Sequence, residues 1–391
     1  MEKIMDKDQK KIMLLLTEEC NLNCLYCYEH FKNKKKMSWE TAKEIIDSFY
    51  GEIPPGETAL IEVFGGEPFA NFALLKKIDS YIEDVYGDRN TYFETTTNGT
   101  LVHGPVQEWL QERKEKYIVS LSLDGTEAMH NLNRPLLSGD GSYRHIDKDF
   151  FLRTWPGKCQ AKLTLSKATL PHLAEGVIHL HKLGFVADAT LPTGIEWNFE
   201  EVGEILNGEL EKLVKFYTDN PSLDLCTLLN FDLRLWFAHL KNKHRFCAAG
   251  ELTKCFDTEG NIFPCQGFAP VSLGDESSKF QNYDCSKLDL TSNNPCVGCR
   301  FFFLCPNCYT ANLATSGCTH LVNLGLCLSY RECILASAKI QFNRLKLKKV
   351  FSENDRLVLK AIEEIAGTIE STDSPLKGIC SHVCDRDNSC C

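Results

Sequence analysis

The chain has 391 residues, 43% of them hydrophobic and 25% charged, which gives the length and apolar content for one large and one smaller domain and excludes a disordered chain. A formal charge of −10 argues against a nucleic-acid partner, which would need a basic surface, and no apolar run is long enough to span a bilayer. The charged start at Met1-Glu-Lys-Ile lacks a signal-peptide core, so a cytoplasmic location and no membrane partner are expected; in a reducing compartment the 20 cysteines point to metal ligation rather than disulfides.

In chain order, short apolar runs predict strands at residues 12–16, 59–64, 91–97, 118–123, 159–165 and 185–191. Between them, amphipathic stretches predict a helix capped by Ser38 and running to residue 49, another from Asn71 to residue 85, and two more at 142–154 and 172–183, the last ended by Gly184. Six strands alternating with helices imply an α/β fold of parallel βαβ units, with sites at the carboxyl ends of the strands. The basic run Lys32 to Lys36 reads as a solvated loop. After about residue 235 the texture changes: eleven cysteines fall between Cys247 and Cys333 among many Gly, Pro and Asn, a segment that metal would hold together. Helical stretches follow at 332–347 and 353–364, then a polar tail with Cys380, Cys384, Cys390 and Cys391, read as a frayed end.

Cys20-Asn-Leu-Asn-Cys24-Leu-Tyr-Cys27 follows the first strand directly. Three thiolates this close each hold one iron of a cubane and leave the fourth iron without a protein ligand. Zinc usually wants four ligands, with its pairs set further apart. The spacing resembles the signature of the radical S-adenosylmethionine (SAM) superfamily, with the aromatic Tyr26 ahead of the third cysteine. Further resemblances come in order: Gly65-Gly66-Glu67-Pro68 after strand two, Thr97-Asn98-Gly99-Thr100 after strand three, Ser122-Leu-Asp124-Gly125 after strand four, and His130-Asn-Leu-Asn-Arg134 beyond it. The resemblance implies a partial (β/α)6 barrel over residues 11–235, with Tyr26, Gly65, Gly66, Glu67, Asn98, Ser122, Asp124 and Arg134 around the cofactor. A turn or capping role for Asp124 is the alternative.

Cys247 is followed by Gly260, Cys265, Cys296-x2-Cys299-x5-Cys305-x2-Cys308 and Cys327, a series that resembles the SPASM extension of the same superfamily. That resemblance implies a cysteine-rich domain over 236–335, followed by helices and the tail over 336–391. It also implies two auxiliary 4Fe–4S clusters beside the first, three in all. One would be held by Cys247, Cys255, Cys265 and Cys308. The other would be held by Cys296, Cys299, Cys305 and Cys327, with Cys318 and Cys333 competing for the last place. A zinc ribbon is the alternative, but its knuckles lie about 15–20 residues apart, whereas five separate Cys299 from Cys305. Cys159, Cys226, Cys285 and, by default, Cys318 and Cys333 read as small buried hydrophobes.

Enzymes of this kind mostly modify peptides or proteins, with flavodoxin or ferredoxin as reductant. The chain resembles anaerobic sulfatase-maturing enzymes, which oxidise cysteine or serine to formylglycine. That subgroup places an aspartate, its proposed base, directly after the cysteine of a Pro-Cys-Asp run; here the run is Pro264-Cys265-Gln266, and glutamine does not accept a proton in the ordinary way. The expectation is therefore a maturase that installs a thioether or carbon–carbon crosslink in a ribosomally made peptide, with formylglycine formation as the alternative. A non-catalytic iron–sulfur electron carrier and a zinc-scaffolded interaction protein are the readings from other classes.

Overall fold

The computed structural model describes residues 10–54, 56–193, 195–238 and 245–370. Strand β1 (Lys11–Thr17) is buried from its second residue onward, as its unbroken apolar run requires of a strand covered on both faces. Helix α1 (Trp39–Gly51) starts where expected, with the Ser38 hydroxyl accepting from the Thr41 amide. There follow β2 (Thr58–Gly65), α2 (Phe72–Tyr86), β3 (Asn90–Thr97), α3 (Pro105–Arg113), β4 (Tyr117–Ser122), α4 (Glu127–Asn133), α5 (Lys148–Thr154), β5 (Gln160–Thr164), α6 (Leu173–Leu183) and β6 (Val186–Thr190).

Two helix starts differ from expectation. Asn71 precedes α2 but does not cap it; its side-chain amide donates instead to the Leu16 carbonyl at 2.9 Å. The stretch expected as one helix over 142–154 is a short turn at Tyr143–His145, after which Asp147 caps α5 through the Phe150 amide.

The later chain adds α7 (Phe199–Asp219), β7 (Thr253–Phe256), β8 (Ile262–Phe263), α8 (Pro270–Leu273), α9 (Tyr309–Ser316), α10 (Leu324–Leu345) and α11 (Glu353–Glu370). The strands form one eight-stranded sheet in the order β6-β5-β4-β3-β2-β1-β7-β8. Pairing is parallel from β1 through β5, β7 runs parallel to β1, and β8 runs antiparallel to β7. Met13 stands opposite Glu62 on one side and Cys255 on the other. At the start of the sheet Lys11 Nζ lies 2.7 Å from Glu62 and 2.9 Å from Glu94.

The chain divides into two compact units. One holds the chain through Thr164 with His179–Asp188 and Ala248–Ser286; the other holds Leu165–Ile178, Ala189–Cys247 and the chain from Lys287. In the second unit α7 packs along α10, and Gly325 lets them close up: a Cβ there would stand 1.7 Å from the Trp197 carbonyl oxygen. Trp197 Nε1 donates to Ser329 Oγ at 2.9 Å, and Trp236, Leu304, Ile334 and Ile365 form an apolar cluster. Among the described residues no helix is long and apolar enough to cross a membrane.

Candidate functional site

Cys20, Cys24 and Cys27 lie on the loop that leaves the carboxyl end of β1, and each is half-buried. The loop is pinned by its backbone: the Asn23 amide donates to Pro135 O and the Leu25 amide to Asn133 O, both at 2.9 Å, so Cys24 is clamped from either side. Lys32 Nζ approaches Cys27 Sγ at 3.0 Å. Burial pushes the Cys20 thiol up to about 12 and raises Cys24, so protons must leave as metal binds. Among the described residues no three His, Cys, Asp or Glu side chains converge on a single ion. A cubane does not require that, because each thiolate holds a different iron. The three thiols on one pinned loop fit such a cluster.

Gly65 and Gly66 are explained by close approach. A Cβ on Gly65, whose φ is +152°, would stand 2.1 Å from Thr17 O, and one on Gly66 would stand 2.5 Å from Glu19 O. The Gly66 and Glu67 amides donate to these same oxygens, which joins the end of β2 to the start of the cysteine loop. Glu67 is buried and turns toward the end of β3, accepting from Thr97 Oγ1 at 2.7 Å and the Asn98 amide at 2.8 Å. Burial pushes its carboxyl up to about 7. Asn98 Nδ2 in turn donates to Asn21 Oδ1 at 2.9 Å, and Asn21 donates to Thr100 at 2.7 Å. Motifs 30 residues apart in sequence thus become one hydrogen-bonded support under the first cysteines.

Asp124 is the centre of a second support. The Tyr26 hydroxyl donates to its Oδ2, Arg134 Nε lies 3.1 Å from the same oxygen, Asn133 Nδ2 donates to it at 3.1 Å, and the Thr164 amide donates to Oδ1 at 3.0 Å. Asp124 is wholly buried, Arg134 nearly so, and the guanidinium sits over the Tyr26 ring at 5.2 Å. His130, buried and held well below its ordinary range by that burial, accepts at Nδ1 from the Asp124 amide. Ser122 ends β4 opposite Lys162 of β5. Asn21 and Asn133 were not singled out from the sequence, although both lie inside the motifs, Asn21 between Cys20 and Cys24 and Asn133 beside Arg134.

In the second unit the four cysteines Cys296, Cys299, Cys305 and Cys327 line one cavity of about 470 Å³. Cys318 and Cys333 do not line it; Cys333 is buried within α10 with Cys226 among its neighbours. The cavity fits an anionic cluster: two buried donors on its wall, Asn307 Nδ2 and Arg331 Nε, have no hydrogen-bond partner. The other expected set is divided between the units. Cys255 and Cys265 neighbour one another in the first, and Cys247 and Cys308 belong to the second. Cys255 is fully buried in β7. Gln266 begins a short turn after Cys265. Cys285, expected as a filler, is half-buried and sits where a Gly250 Cβ would be, at 2.0 Å. The tail cysteines Cys380, Cys384, Cys390 and Cys391 lie outside the described residues.

Comparison with known proteins places this geometry. The family model of the radical SAM superfamily matches residues 14–144, the span of β1 to β4 and the three-cysteine loop. An uncharacterised protein of Methanocaldococcus jannaschii is 32% identical over 235 residues, which cover 57% of this chain and 80% of that protein. The chain belongs to the radical SAM superfamily. As a radical SAM enzyme it uses SAM and a 4Fe–4S cluster. The cysteine-type anaerobic sulfatase-maturating enzyme of Clostridium perfringens is 21% identical over 315 residues, 73% of this chain and 84% of the relative. The radical SAM cyclopropyl synthase TigE of Paramaledivibacter caminithermalis is 22% identical over 363 residues, 83% and 73% respectively. Among solved structures, anSMEcpe with bound AdoMet and Cp18Cys peptide superposes with a TM-score of 0.66 at 17% identity, covering 90% of this chain and 99% of that one. The parallel α/β architecture is therefore the radical SAM fold.

Proposed function

We propose that this radical SAM enzyme is a peptide maturase that oxidatively joins side-chain atoms of a ribosomally made peptide through a thioether or carbon–carbon bond. The observation that carries the choice is Gln266, which follows Cys265 where the sulfatase-maturing subgroup places its proposed base. A relative named as a cyclopropyl synthase and a structural neighbour holding a peptide support a peptide as substrate class. Bound SAM, reduced by one electron from the cluster, supplies a 5′-deoxyadenosyl radical that abstracts hydrogen from the substrate. Within that scheme Cys20, Cys24 and Cys27 hold the cluster, and the Asp124–Tyr26–Arg134 group fixes the loop that carries them. Gly65, Gly66, Glu67, Asn98 and Ser122 shape the strand ends where the cofactor would lie. Two further clusters, on Cys247, Cys255, Cys265 and Cys308 and on Cys296, Cys299, Cys305 and Cys327, would carry electrons away from the substrate within the 236–335 segment.

The test uses anaerobically reconstituted full chain with SAM, dithionite and two peptide sets: cysteine-rich ribosomal precursors, and a cysteine peptide taken from a sulfatase. Deoxyadenosine with loss of two hydrogens and retention of sulfur supports the crosslinking reading. Loss of the substrate sulfur, with formation of an aldehyde, would replace it by formylglycine formation.

A further inference from the structure

The cavity that holds Cys296, Cys299, Cys305 and Cys327 has an unusual charge balance. Among the described residues its wall contains two arginines, Arg300 and Arg331, and no carboxylate, although the Glu332 carboxylate beside Arg331 feels its charge from outside the lining. A 4Fe–4S cluster on four thiolates carries net negative charge, and the surrounding wall is largely aromatic and aliphatic, with Phe246, Phe301, Phe302 and Ile334. In such low-polarity surroundings a buried charge is costly unless another compensates it.

Arg331 is placed to compensate. It stands one turn after Cys327 on α10, and residues four apart share a helix face, so thiol and guanidinium enter the cavity from the same side. The guanidinium lies over the Phe301 ring at 5.8 Å, which holds its plane. Its Nε is buried without a hydrogen-bond partner, and among the described residues it makes no ion pair. Arginine does not shed its proton to relieve this. Elsewhere on the same wall, Asn307 Nδ2 is a second buried donor without a partner. Two orphaned donors facing four thiols leave the cavity incomplete until an anion with acceptor sulfurs fills it.

We infer that Arg331 and Asn307 donate hydrogen bonds to the sulfurs of the cluster held by Cys296, Cys299, Cys305 and Cys327, and that Arg331 sets this cluster's electron affinity as its counter-cation. The inference rests on the reading of those four cysteines as a cluster site. Reduction adds one negative charge to the cluster, and a neighbouring cation together with a second N–H donor stabilises that added charge. Both residues are positioning residues: they set how readily this cluster accepts an electron.

The experiment is an EPR-monitored redox titration of the full chain, reconstituted anaerobically, with Cys20, Cys24 and Cys27 replaced by alanine so that the first cluster does not contribute. In that background Arg331→Met keeps the side-chain length and removes charge and donor, Arg331→Lys keeps the charge, and Asn307→Leu removes the second donor. Arg331→Met should move one of the auxiliary signals to more negative potential. Poised at the wild-type midpoint, the oxidised-to-reduced ratio of that signal should rise from one to about ten, equivalent to about 59 mV for one electron. Arg331→Lys should recover part of that shift, and Asn307→Leu should shift the same signal less and in the same direction. Full iron loading with every midpoint unchanged in Arg331→Met and Asn307→Leu would overturn the inference. If Arg331→Met fails to load, the lysine and leucine variants decide the same question. A parent whose iron does not fall in Cys327→Ala would instead show that the reading of these four cysteines as a cluster site is wrong.

Discussion

Replacing Asp124 by asparagine keeps the side-chain shape and removes one charge of a buried pair. Asp124 has no exposed surface, and Arg134 Nε lies 3.1 Å from Oδ2. Thr164 retains an acceptor at Oδ1, but the amide nitrogen that replaces Oδ2 accepts from neither Tyr26 nor Asn133, so the loss combines those hydrogen bonds with a guanidinium left buried without its partner. Removing one member of such a pair costs about 3–5 kcal/mol. With a urea slope of about 3 kcal/mol per molar, the unfolding midpoint should fall by about 1–1.7 M. The assay is urea unfolding of the anaerobic protein, followed by circular dichroism. Combining Asp124→Asn with Arg134→Met removes both charges, and because a neutral pair of similar volume is often as stable as the ion pair, most of the loss should return. A single variant within about 1 kcal/mol of wild type, or a double variant no better than the single one, would refute the argument that this pair holds the cysteine loop through its charge.

Burial pushes the Glu29 carboxyl up to about 7, so between its unfolded value and pH 7 the folded chain keeps a proton that the unfolded chain has lost. Stability should therefore fall by about 3 kcal/mol as pH rises through that window, and Glu29→Gln should abolish this contribution in urea titrations at pH 5 and pH 8. Lys11→Met leaves Glu62 and Glu94 facing one another and should cost about 2 kcal/mol, largely restored by adding Glu94→Gln, as read from urea midpoints. Gly65→Ala drives a methyl into Thr17 O and should cost about 3 kcal/mol with loss of iron from the first cluster; Gly56→Ala, with positive φ but open space, should cost about 1 kcal/mol and leave iron content intact. Cys327→Ala should lower iron per chain by about a third if three clusters fill, and Cys333→Ala should leave it unchanged.

The six alternating strands were legible from continuous apolar runs, as in β1, or from alternation of buried and half-exposed positions, as in β3 and β5, and each stretch matched its strand to within a residue or two. The Ser38 cap was legible because it is a local side-chain-to-backbone bond. Other elements were hidden by competing signals. β7 and β8 flank Asp257 to Asn261, where the Asp257 carboxylate accepts from the Glu259 and Asn261 amides; the turn chemistry was present, but the cysteine spacing drew the reading to metal. The first half of α10 was missed because its buried face includes Ser329 and Cys333, and Gly325 interrupts its start. The long α7 carried a helical stripe at Val202, Leu206, Leu210, Leu213 and Tyr217 that went unread. At the site, sequence marked the three cysteines and each strand-end motif singly. What it did not carry is direction: that Glu67 turns to Thr97 and Asn98, and that Tyr26, Asn133 and Arg134 meet on one carboxylate, follow only from the register of neighbouring strands.

The pairing of β1 with β7 ties the beginning of the chain to a segment made much later. Lys11 lies opposite Thr253, about 240 residues downstream. At about 5–20 residues per second the ribosome needs on the order of 10–50 s to make that stretch, and throughout it one edge of β1 has no strand beside it. That edge leads straight into the three-cysteine loop, so the nascent chain presents a strand template and unligated thiols together. Chains that stop before residue 253 keep this edge open, so interrupted synthesis should yield fragments prone to self-association.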